Sequence, residues 1–404
     1  MRSILTFLML FNLIDQTNAQ WIEQLSGIST SLFSVFFTDE NNGTAVGDYG
    51  VILSTTNGGE EWNPQSSGTT NPLYSVSFID LDNGIIVGAN GVILNTENGG
   101  TTWTFQSGGT LKSLYGVSFL DANNKLIVGD DGIILRTTDN GTTWTTQTSG
   151  TTATLSSISS TGTEYATTVG GNGIILRTTD GGLTWFAQAS GTAKWLEGVS
   201  FNDVNNGYAV GEGGTILKTE DGGTTWLPQV SGTNNWFNGV SFINSNNTTV
   251  VGYNGTILRT FDGGTTWSQQ TSGTNYWLAS VLFINENIGD AVGWGGTILR
   301  TTNGGITFIE TGILKSVDYF LLMQNNPNPF NPSTTIKYQI PQQSFVSIKV
   351  YDLLGKEVAT LVNEEKYAGN YQVDYYAKDL SSGIYFYRMT AENFTLSRKM
   401  ILLK

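Results

Sequence analysis

The sequence predicts an all-β chain in which a seven-bladed β-propeller with four-stranded blades is followed by an Ig-like β-sandwich. Three observations carry this prediction. Tryptophans recur every 41 residues through the central region. No segment of the repeat shows the helical spacing of apolar residues. The composition changes after Gly312, where prolines become frequent. The expected organisation is therefore a signal peptide at 1–19, a propeller at 20–312, a linker at 313–325 and a sandwich at 326–404.

The first 19 residues are typical of a secretory signal peptide. Met1 and Arg2 give a positive start, residues 4–14 are apolar but too short to span a bilayer, and Ala19 ends a small-residue cleavage site. A buried N-terminal strand is the alternative interpretation. No other segment is long and apolar enough for a membrane helix.

One repeat unit reads as four strands joined by tight turns. The run LYSVSF at Leu73–Phe78 is rich in aromatic and β-branched residues, and further strands are expected at 85–88, 92–96 and 102–106. One such sheet cannot bury both faces, whereas a ring of stacked sheets can.

The ring is expected to close through its N-terminal strand. A Trp-x-x-Gln signature marks each fourth strand. It begins at Trp21, Trp62, Trp103, Trp144, Trp185, Trp226 and Trp267, and is lost at Phe308. Seven intact copies exist only if the one at Trp21 is counted. The strand at Trp21 should therefore complete the last blade and leave no open edge.

A recurring turn precedes each tryptophan, with TTDGGLTW at 178–185 as its fullest form. Asp and Gly suit this turn because both tolerate its backbone angles. The turn resembles the Asp-box, or BNR-like, repeat. The whole unit is similar to the repeats of Ycf48/HCF136-type photosystem II assembly factors. This resemblance implies the propeller fold but not one function, because Asp boxes occur on sialidases, sortilin-like receptors, glycosidases and assembly factors.

The C-terminal region contains NPNPFNPST at 326–334, VYDLLGKEV at 350–358, LSSGIYFYR at 380–388 and SRKMILLK at 397–404. These runs resemble the type A sorting domain of the type IX secretion system. The resemblance implies Sec export, recognition by the type IX machinery, and residence on the outer-membrane surface or outside the cell. The residues expected to carry this signal are Gly383, Tyr385, Arg398 and Lys399. A plain Ig-like spacer is the alternative.

Composition excludes several kinds of chemistry. The chain has no Cys and no His, which removes thiol nucleophiles, Ser-His pairs and the usual zinc sites. Residues 20–312 hold 8 Lys or Arg against 24 Asp or Glu, so nucleic acid and anionic lipid are not expected partners. We expect no cofactor. The loops at 39–43 and 203–207 leave Ca²⁺ as an alternative, although they lack a spaced ladder of carboxylates.

Variation among the repeats points to one face of the ring. The connections before each first strand, and the hairpins between second and third strands, should share that face and differ most between units. The candidate ligand-binding residues there are Trp195, Trp236, Tyr276, Trp277, Tyr49, Tyr253, Trp294, Asp130, Asp131 and Glu212. Aromatic and acidic side chains together suit stacking on sugars or gripping a peptide. The alternative is that Trp195, Trp236 and Trp277 only cap the apolar layer between blades.

Five cations also recur on the third strand, at Arg136, Arg177, Lys218, Arg259 and Arg300. Their equivalent positions cannot converge on one ligand, and surface pairing with acids is expected. The signal peptide, the sorting domain and the missing catalytic set together favour a non-catalytic surface or secreted protein that binds a glycan or a protein. We expect it to be a monomer. A glycoside hydrolase using Asp131 or Glu212, and a scaffold factor for a surface complex, remain alternatives.

Overall fold

The structure, a computed structural model, describes residues 20–306, 320–392 and 394–404. The chain divides into two compact units, Met1–Ile306 and Thr307–Lys404. The proposed signal peptide, Phe308 and the first part of the proposed linker lie outside the described residues. Within the described residues both units are built from β-strands, with only single-turn 3-10 segments between some of them.

The first unit contains seven four-stranded antiparallel sheets among residues 20–306. Sheets 1 to 4 have the following strands: β2 (Leu32–Phe37), β3 (Gly43–Gly47), β4 (Ile52–Thr55) and β5 (Asn63–Gln65); β6 (Leu73–Phe78), β7 (Asn83–Gly88), β8 (Ile93–Glu97) and β9 (Thr104–Phe105); β10 (Leu114–Phe119), β11 (Lys125–Gly129), β12 (Ile134–Thr137) and β13 (Thr145–Gln147); β14 (Leu155–Thr161), β15 (Tyr165–Gly170), β16 (Ile175–Thr178) and β17 (Phe186–Gln188).

Sheets 5 to 7 repeat the pattern, with the last one completed from the N-terminus. Their strands are β18 (Leu196–Phe201), β19 (Gly207–Gly211), β20 (Thr215–Thr219) and β21 (Leu227–Gln229); β22 (Phe237–Phe242), β23 (Thr248–Gly252), β24 (Ile257–Thr260) and β25 (Ser268–Gln270); β26 (Leu278–Phe283), β27 (Gly289–Gly293), β28 (Ile298–Thr301) and β1 (Ile22–Gln24). The first strand of each sheet packs against that of the next, and β26 packs against β2. The sheets therefore form a closed β-propeller ring.

The first strand of each unit owes its burial pattern to a β-bulge. In β6 the register shifts between Leu73 and Ser75, and Leu73, Val76 and Phe78 are buried between sheets. An extra residue in one strand turns neighbouring side chains to the same side. Tyr74 and Ser75 accordingly both face the central channel. The fourth strand of this unit is shorter than predicted, because only Thr104–Phe105 keep the ladder.

The ring closes as predicted, because β1 pairs antiparallel with β28 and places Ile22 opposite Arg300. Trp21 is only 3% exposed and meets Phe283 edge-on, with ring centroids 5.6 Å apart. Its Nε1 donates to Gln270 Oε1 in sheet 6 at 2.8 Å. The same bond to the glutamine of the preceding sheet is made by Trp62, Trp103 and Trp226, whereas Trp185 Nε1 donates to Gly182 O.

Serine hydroxyls cover the free edges of the first strands. The backbone N–H of Phe283 donates to Ser241 Oγ at 2.9 Å, and that of Phe201 donates to Ser159 Oγ at 3.0 Å. Each serine belongs to the preceding sheet. An edge N–H that faces a neighbouring sheet therefore finds a partner without another strand.

The prediction that the repeated third-strand cations pair with acids at the surface is wrong for four of the five, three of which are buried arginines. Arg177, Arg259 and Arg300 are 6%, 0% and 9% exposed. Their Nη2 atoms donate to backbone carbonyls of the following sheet, namely Val204, Glu286 and Glu40, at 2.5, 2.8 and 2.7 Å. Their guanidinium groups lie over Phe201, Phe283 and Phe37. These arginines therefore link adjacent sheets.

The remaining two cations are less buried. Lys218 keeps the predicted surface pair with Glu220 at 2.6 Å, whereas Arg136 Nε donates to the backbone carbonyl of Gly181 at 2.7 Å.

The second unit is a β-sandwich of two antiparallel sheets that share one core. The strands of its two sheets are, in chain order, β29 (Leu321–Leu322), β30 (Ser333–Ile340) and β33 (Gly369–Tyr376), and β31 (Ser344–Tyr351), β32 (Glu357–Lys366), β34 (Gly383–Ala391) and β35 (Phe394–Leu402). Leu321 and Leu322 fall in the predicted linker but pair with Gln339 and Tyr338. The end of that linker therefore belongs to the sandwich.

Candidate ligand-binding site

The hairpins between second and third strands, and the connections that lead into each first strand, lie together at one end of the ring. Asp48 N donates to Ser31 O at 2.9 Å across this end. At the other end, Gly58 N of the Asp-box turn donates to Asn41 O, also at 2.9 Å. We call the end formed by these hairpins and connections the hairpin face. It carries the residues that differ most among the repeats.

A central cavity of about 520 Å³ opens among the first strands. The second residue of each first strand reaches the channel because of the β-bulge described above. These seven residues are Phe33, Tyr74, Tyr115, Ser156, Glu197, Asn238 and Ala279. They stand 41 residues apart in the sequence yet differ in chemistry from unit to unit. The sequence analysis missed them because it compared loops and did not compare positions within the strands.

Four of the predicted aromatic residues form a continuous row, which we call the aromatic wall. Its members are Trp236, Tyr253, Trp277 and Trp294. Ring centroids are 5.7 Å apart for Trp236 and Tyr253, 4.4 Å for Tyr253 and Trp277, and 4.9 Å for Trp277 and Trp294. Trp277 lines the cavity, and Trp294 is 45% exposed. The wall therefore joins the cavity to the exposed part of the hairpin face.

Two indole N–H groups of the wall, at Trp236 Nε1 and Trp277 Nε1, are buried and have no hydrogen-bond partner among the residues that the structure describes. A buried donor without an acceptor costs about 1–3 kcal/mol. Trp195 differs, because its Nε1 donates to Ser156 Oγ at 2.8 Å and its backbone N donates to Glu212 Oε2 at 3.2 Å. Trp195 also lines the cavity. Trp195 and Trp277 therefore both pack at the ends of their sheets and also line the central cavity.

A second aromatic group lies on the other part of the cavity lining. Tyr74 is 5.6 Å from Phe33 and 5.1 Å from Tyr115, centroid to centroid. The Tyr115 hydroxyl and the Thr154 hydroxyl both donate to the Asp130 carboxylate at 3.3 Å. Burial raises the pKa of Tyr74 and of Tyr115, so both phenols stay protonated.

Two carboxylates line the cavity, Asp130 from a hairpin and Glu197 from β18. Burial raises the pKa of Glu197 to about 7, against the opposing effect of hydrogen bonds from Ser156 and Trp195. The structure therefore brings one predicted acid, Asp130, together with one that the sequence analysis missed.

The other predicted site residues are dispersed over the hairpin face. Asp131 forms an exposed ion pair with Lys112 at 3.4 Å. Tyr49 and Tyr276 are 71% and 56% exposed, and Glu212 is also exposed. None of these four lines the cavity among the described residues.

The Asp-box carboxylates are occupied by their own turns. Asp139 Oδ1 accepts from Thr143 N at 2.8 Å, and the Thr143 hydroxyl donates to Asp139 Oδ2 at 2.6 Å. These bonds lower the pKa of Asp139. In the loop proposed for Ca²⁺, Asp39 likewise accepts from Asn41 and Asn42. The described residues contain no group of three or more acids arranged to hold a metal ion.

The residues expected to carry the sorting signal lie on β34 and β35. Tyr385 is buried and its hydroxyl donates to Ser381 O at 2.9 Å. Arg398 Nε donates to Leu322 O at 3.2 Å, and Lys399 is exposed opposite Phe386. Gly383 begins β34 opposite Leu402.

No helix long and apolar enough to cross a membrane occurs in the part of the chain that the structure describes. Two family models match the chain. The model described as photosynthesis system II assembly factor YCF48 matches residues 14–104, 66–198 and 228–315. The model described as a secretion system C-terminal sorting domain matches residues 326–403. None of the curated proteins matches the chain.

Solved structures share the fold at low sequence identity. A structure of YCF48 bound to D1 peptide is 22% identical with a TM-score of 0.61, over 70% of this chain and 97% of that chain. YCF48 from Cyanidioschyzon merolae is 22% identical with a TM-score of 0.60, over 70% and 98%. The GH74 enzyme of Niastella koreensis is 16% identical with a TM-score of 0.57, over 77% of this chain but 58% of the enzyme.

Proposed function

The chain belongs to the family of the photosystem II assembly factor Ycf48 and carries a type IX sorting domain, and from this premise we propose that it is a non-catalytic protein that binds a segment of another protein at its hairpin face. The sorting domain implies export to the cell surface or the extracellular space. The propeller is then the exported cargo and its hairpin face the ligand-binding surface.

The observation that carries this proposal is the aromatic wall beside the cavity. Trp277 lines the cavity, and Trp294 at the other end of the wall is 45% exposed. Indole rings bury a large apolar area, and tryptophan is enriched among the residues that dominate protein interfaces. The solved Ycf48 complex supports the same ligand class, because that relative is bound to a peptide.

The hydrolase alternative has weaker support. A glycosidase needs two carboxyl groups about 5–5.5 Å apart if it retains and about 6.5–9.5 Å apart if it inverts the configuration at the anomeric carbon. Asp131 is paired with Lys112, and Glu212, which accepts from Trp195 N, belongs to a different sheet. The cavity does contain Asp130 and Glu197, but these also come from different sheets, 3 and 5. The GH74 likeness supports the fold alone.

Peptide and glycan arrays probed with the purified chain test the proposal. We expect peptides to bind, and Trp277→Ala to weaken that binding at least tenfold, because loss of a central interface tryptophan costs about 2 kcal/mol or more. Phe186→Ala is the matched control, because Phe186 is 60% exposed on the outer strand β17. Binding of glycans alone, or turnover of a chromogenic glycoside panel, would contradict the proposal.

We further propose that each of the seven sheets is one blade, that the second unit is Ig-like, and that the mature protein is a monomer without a bound cofactor. The proposed domains are the propeller at 20–312 and the sorting domain at 326–404, to which β29 adds an edge strand at Leu321–Leu322. Gly383, Tyr385, Arg398 and Lys399 are proposed to carry the sorting signal. Light scattering on the purified chain tests whether it is a monomer, and its export after substitution of Arg398 and Lys399 tests the sorting signal.

A further inference from the structure

We propose that the cavity beside the aromatic wall takes the cationic side chain of a lysine or arginine from the bound protein segment, held between the rings and the carboxylates of Asp130 and Glu197. This inference rests on the proposed function above and specifies the residue that such a ligand inserts.

The charge of the cavity favours a cation. Twenty residues line it, and within the described chain Asp130 and Glu197 are the charged ones, both acidic. The nearest lysines of the hairpin face are engaged elsewhere. Lys112 pairs with Asp131, and Lys194 Nζ donates to Gly213 O at 3.2 Å. A positive side chain entering the cavity would therefore meet two carboxylates and no competing cation from the lining.

The rings supply a second attraction that depends on charge. The electron-rich face of Trp or Tyr attracts a cation with about 0.5–2 kcal/mol, more when the cation is desolvated. The chain itself uses this interaction between sheets, where Arg259 lies 4.2 Å from the centroid of Phe283. At the cavity, Tyr74 and Tyr115 on one part of the lining and Trp277 on another offer comparable rings. A guanidinium or ammonium group between them gains ring contacts and a carboxylate together.

The exposed part of the aromatic wall fits the same mode of binding. Trp277 lines the cavity, and its neighbour Trp294 is 45% exposed. The cation can enter the cavity while its own chain runs over the exposed rings. A small free ammonium ion makes no such additional contact with Trp294.

The protonation of Glu197 makes the proposed binding depend on pH. Two strands flank β18, namely β14 and β22, and neither carries a charged residue. The other titratable groups that bear on Glu197 are Asp130, Glu212 and Tyr253. The pKa of Tyr253 is raised by burial and by Glu197 itself. Since burial raises the pKa of Glu197 to about 7, its carboxyl is neutral below and ionised above that value. A cation binds the ionised form, so affinity should rise between pH 5.5 and pH 8.

The test uses the full chain and five end-capped pentapeptides of the form Gly-Ser-Xaa-Ser-Gly. Xaa is arginine, lysine, citrulline, norleucine or glutamate, and tetramethylammonium is a sixth probe. We expect the arginine and lysine peptides to bind at least tenfold more tightly than the citrulline and norleucine peptides, measured by tryptophan fluorescence titration. Glu197→Gln should remove most of that preference and the pH dependence. Glu164→Gln, at an exposed turn on the other end of the ring, is the control.

Each of the other possible results of these titrations would refute a specific part of the proposal. Equal affinity for arginine and citrulline peptides would refute the cation site while leaving a peptide-binding function intact. Tetramethylammonium binding as tightly as the arginine peptide would refute the assignment to a protein segment. A preference that survives Glu197→Gln would refute the role of that carboxylate. Failure of every peptide, here and on the arrays, would refute the proposed function itself.

Discussion

Deletion of residues 20–27 is expected to destabilise the propeller more than any single substitution. The deletion removes β1, exposes the edge of β28 and takes away Trp21, which is 3% exposed between sheets. Removal of a buried tryptophan alone costs about 3–5 kcal/mol, and the lost ladder adds to this cost. Urea denaturation followed by tryptophan fluorescence should therefore show a much lower midpoint for the deleted chain.

Two point variants separate the contribution of the tryptophan from that of the strand. Trp21→Ala should lower the free energy of unfolding by about 3–5 kcal/mol. Leu25→Ala should change it by less than about 0.5 kcal/mol, because Leu25 is 89% exposed just after β1. An unchanged midpoint for the deletion would show that β1 does not close the ring.

Replacement of Asp290 by alanine is expected to have the next largest effect. Asp290 is fully buried in sheet 7, and its Oδ2 lies 2.9 Å from Nη1 of Arg300. Nη2 of the same arginine donates to Glu40 O in sheet 1. Removing one partner of a buried ion pair costs about 3–5 kcal/mol, because the other charge stays buried without compensation. Thermal and urea unfolding of Asp290→Ala measure this loss.

The other sheets supply a matched control for this substitution. In sheet 4 the position of Asp290 is held by Thr167, whose Oγ1 accepts from Arg177 Nη1 at 2.8 Å. Asp290→Thr should therefore recover much of the stability that Asp290→Ala loses. Equal losses in the two variants would contradict the view that the arginine requires an acceptor at that place.

The fold could be predicted from the sequence because its largest side chains mark the period. Trp21 is one member of a series spaced by 41 residues, and each member needs a similar environment. A repeated unit that cannot bury its own faces must stack. The closing strand followed from the same series, because the signature that begins at Trp21 keeps its glutamine at Gln24, whereas the one at Phe308 has lost both residues.

The role of the buried arginines could not be predicted from spacing. Arg259 is one of five cations at equivalent positions that cannot converge on one ligand, and for this reason a surface pair with an acid was expected. Twisted sheets that pack face to face leave that position between them, over Phe283 of the next sheet. The backbone carbonyl that receives its Nη2 comes from a turn and has no sequence signature.

The candidate site was predicted in part. Trp236, Trp277 and Trp294 stood out because they occupy loops that vary among the repeats. Glu197 lies within a strand, and whether its side chain faces the channel depends on the β-bulge near Leu196. A bulge shifts the alternation of side chains but leaves no mark in the sequence. Comparing the second residue of each first strand would nevertheless have found it.

The seam between β1 and β28 joins parts of the chain made at very different times. Trp21 and Gln270 are 249 residues apart along the chain, so β1 emerges early and waits for a partner that emerges late. Every truncated product that ends before β28 carries an unpaired first strand. The sorting domain follows β28, so such products also lack the sorting domain. Any chain that carries the complete sorting domain is therefore long enough to complete the ring.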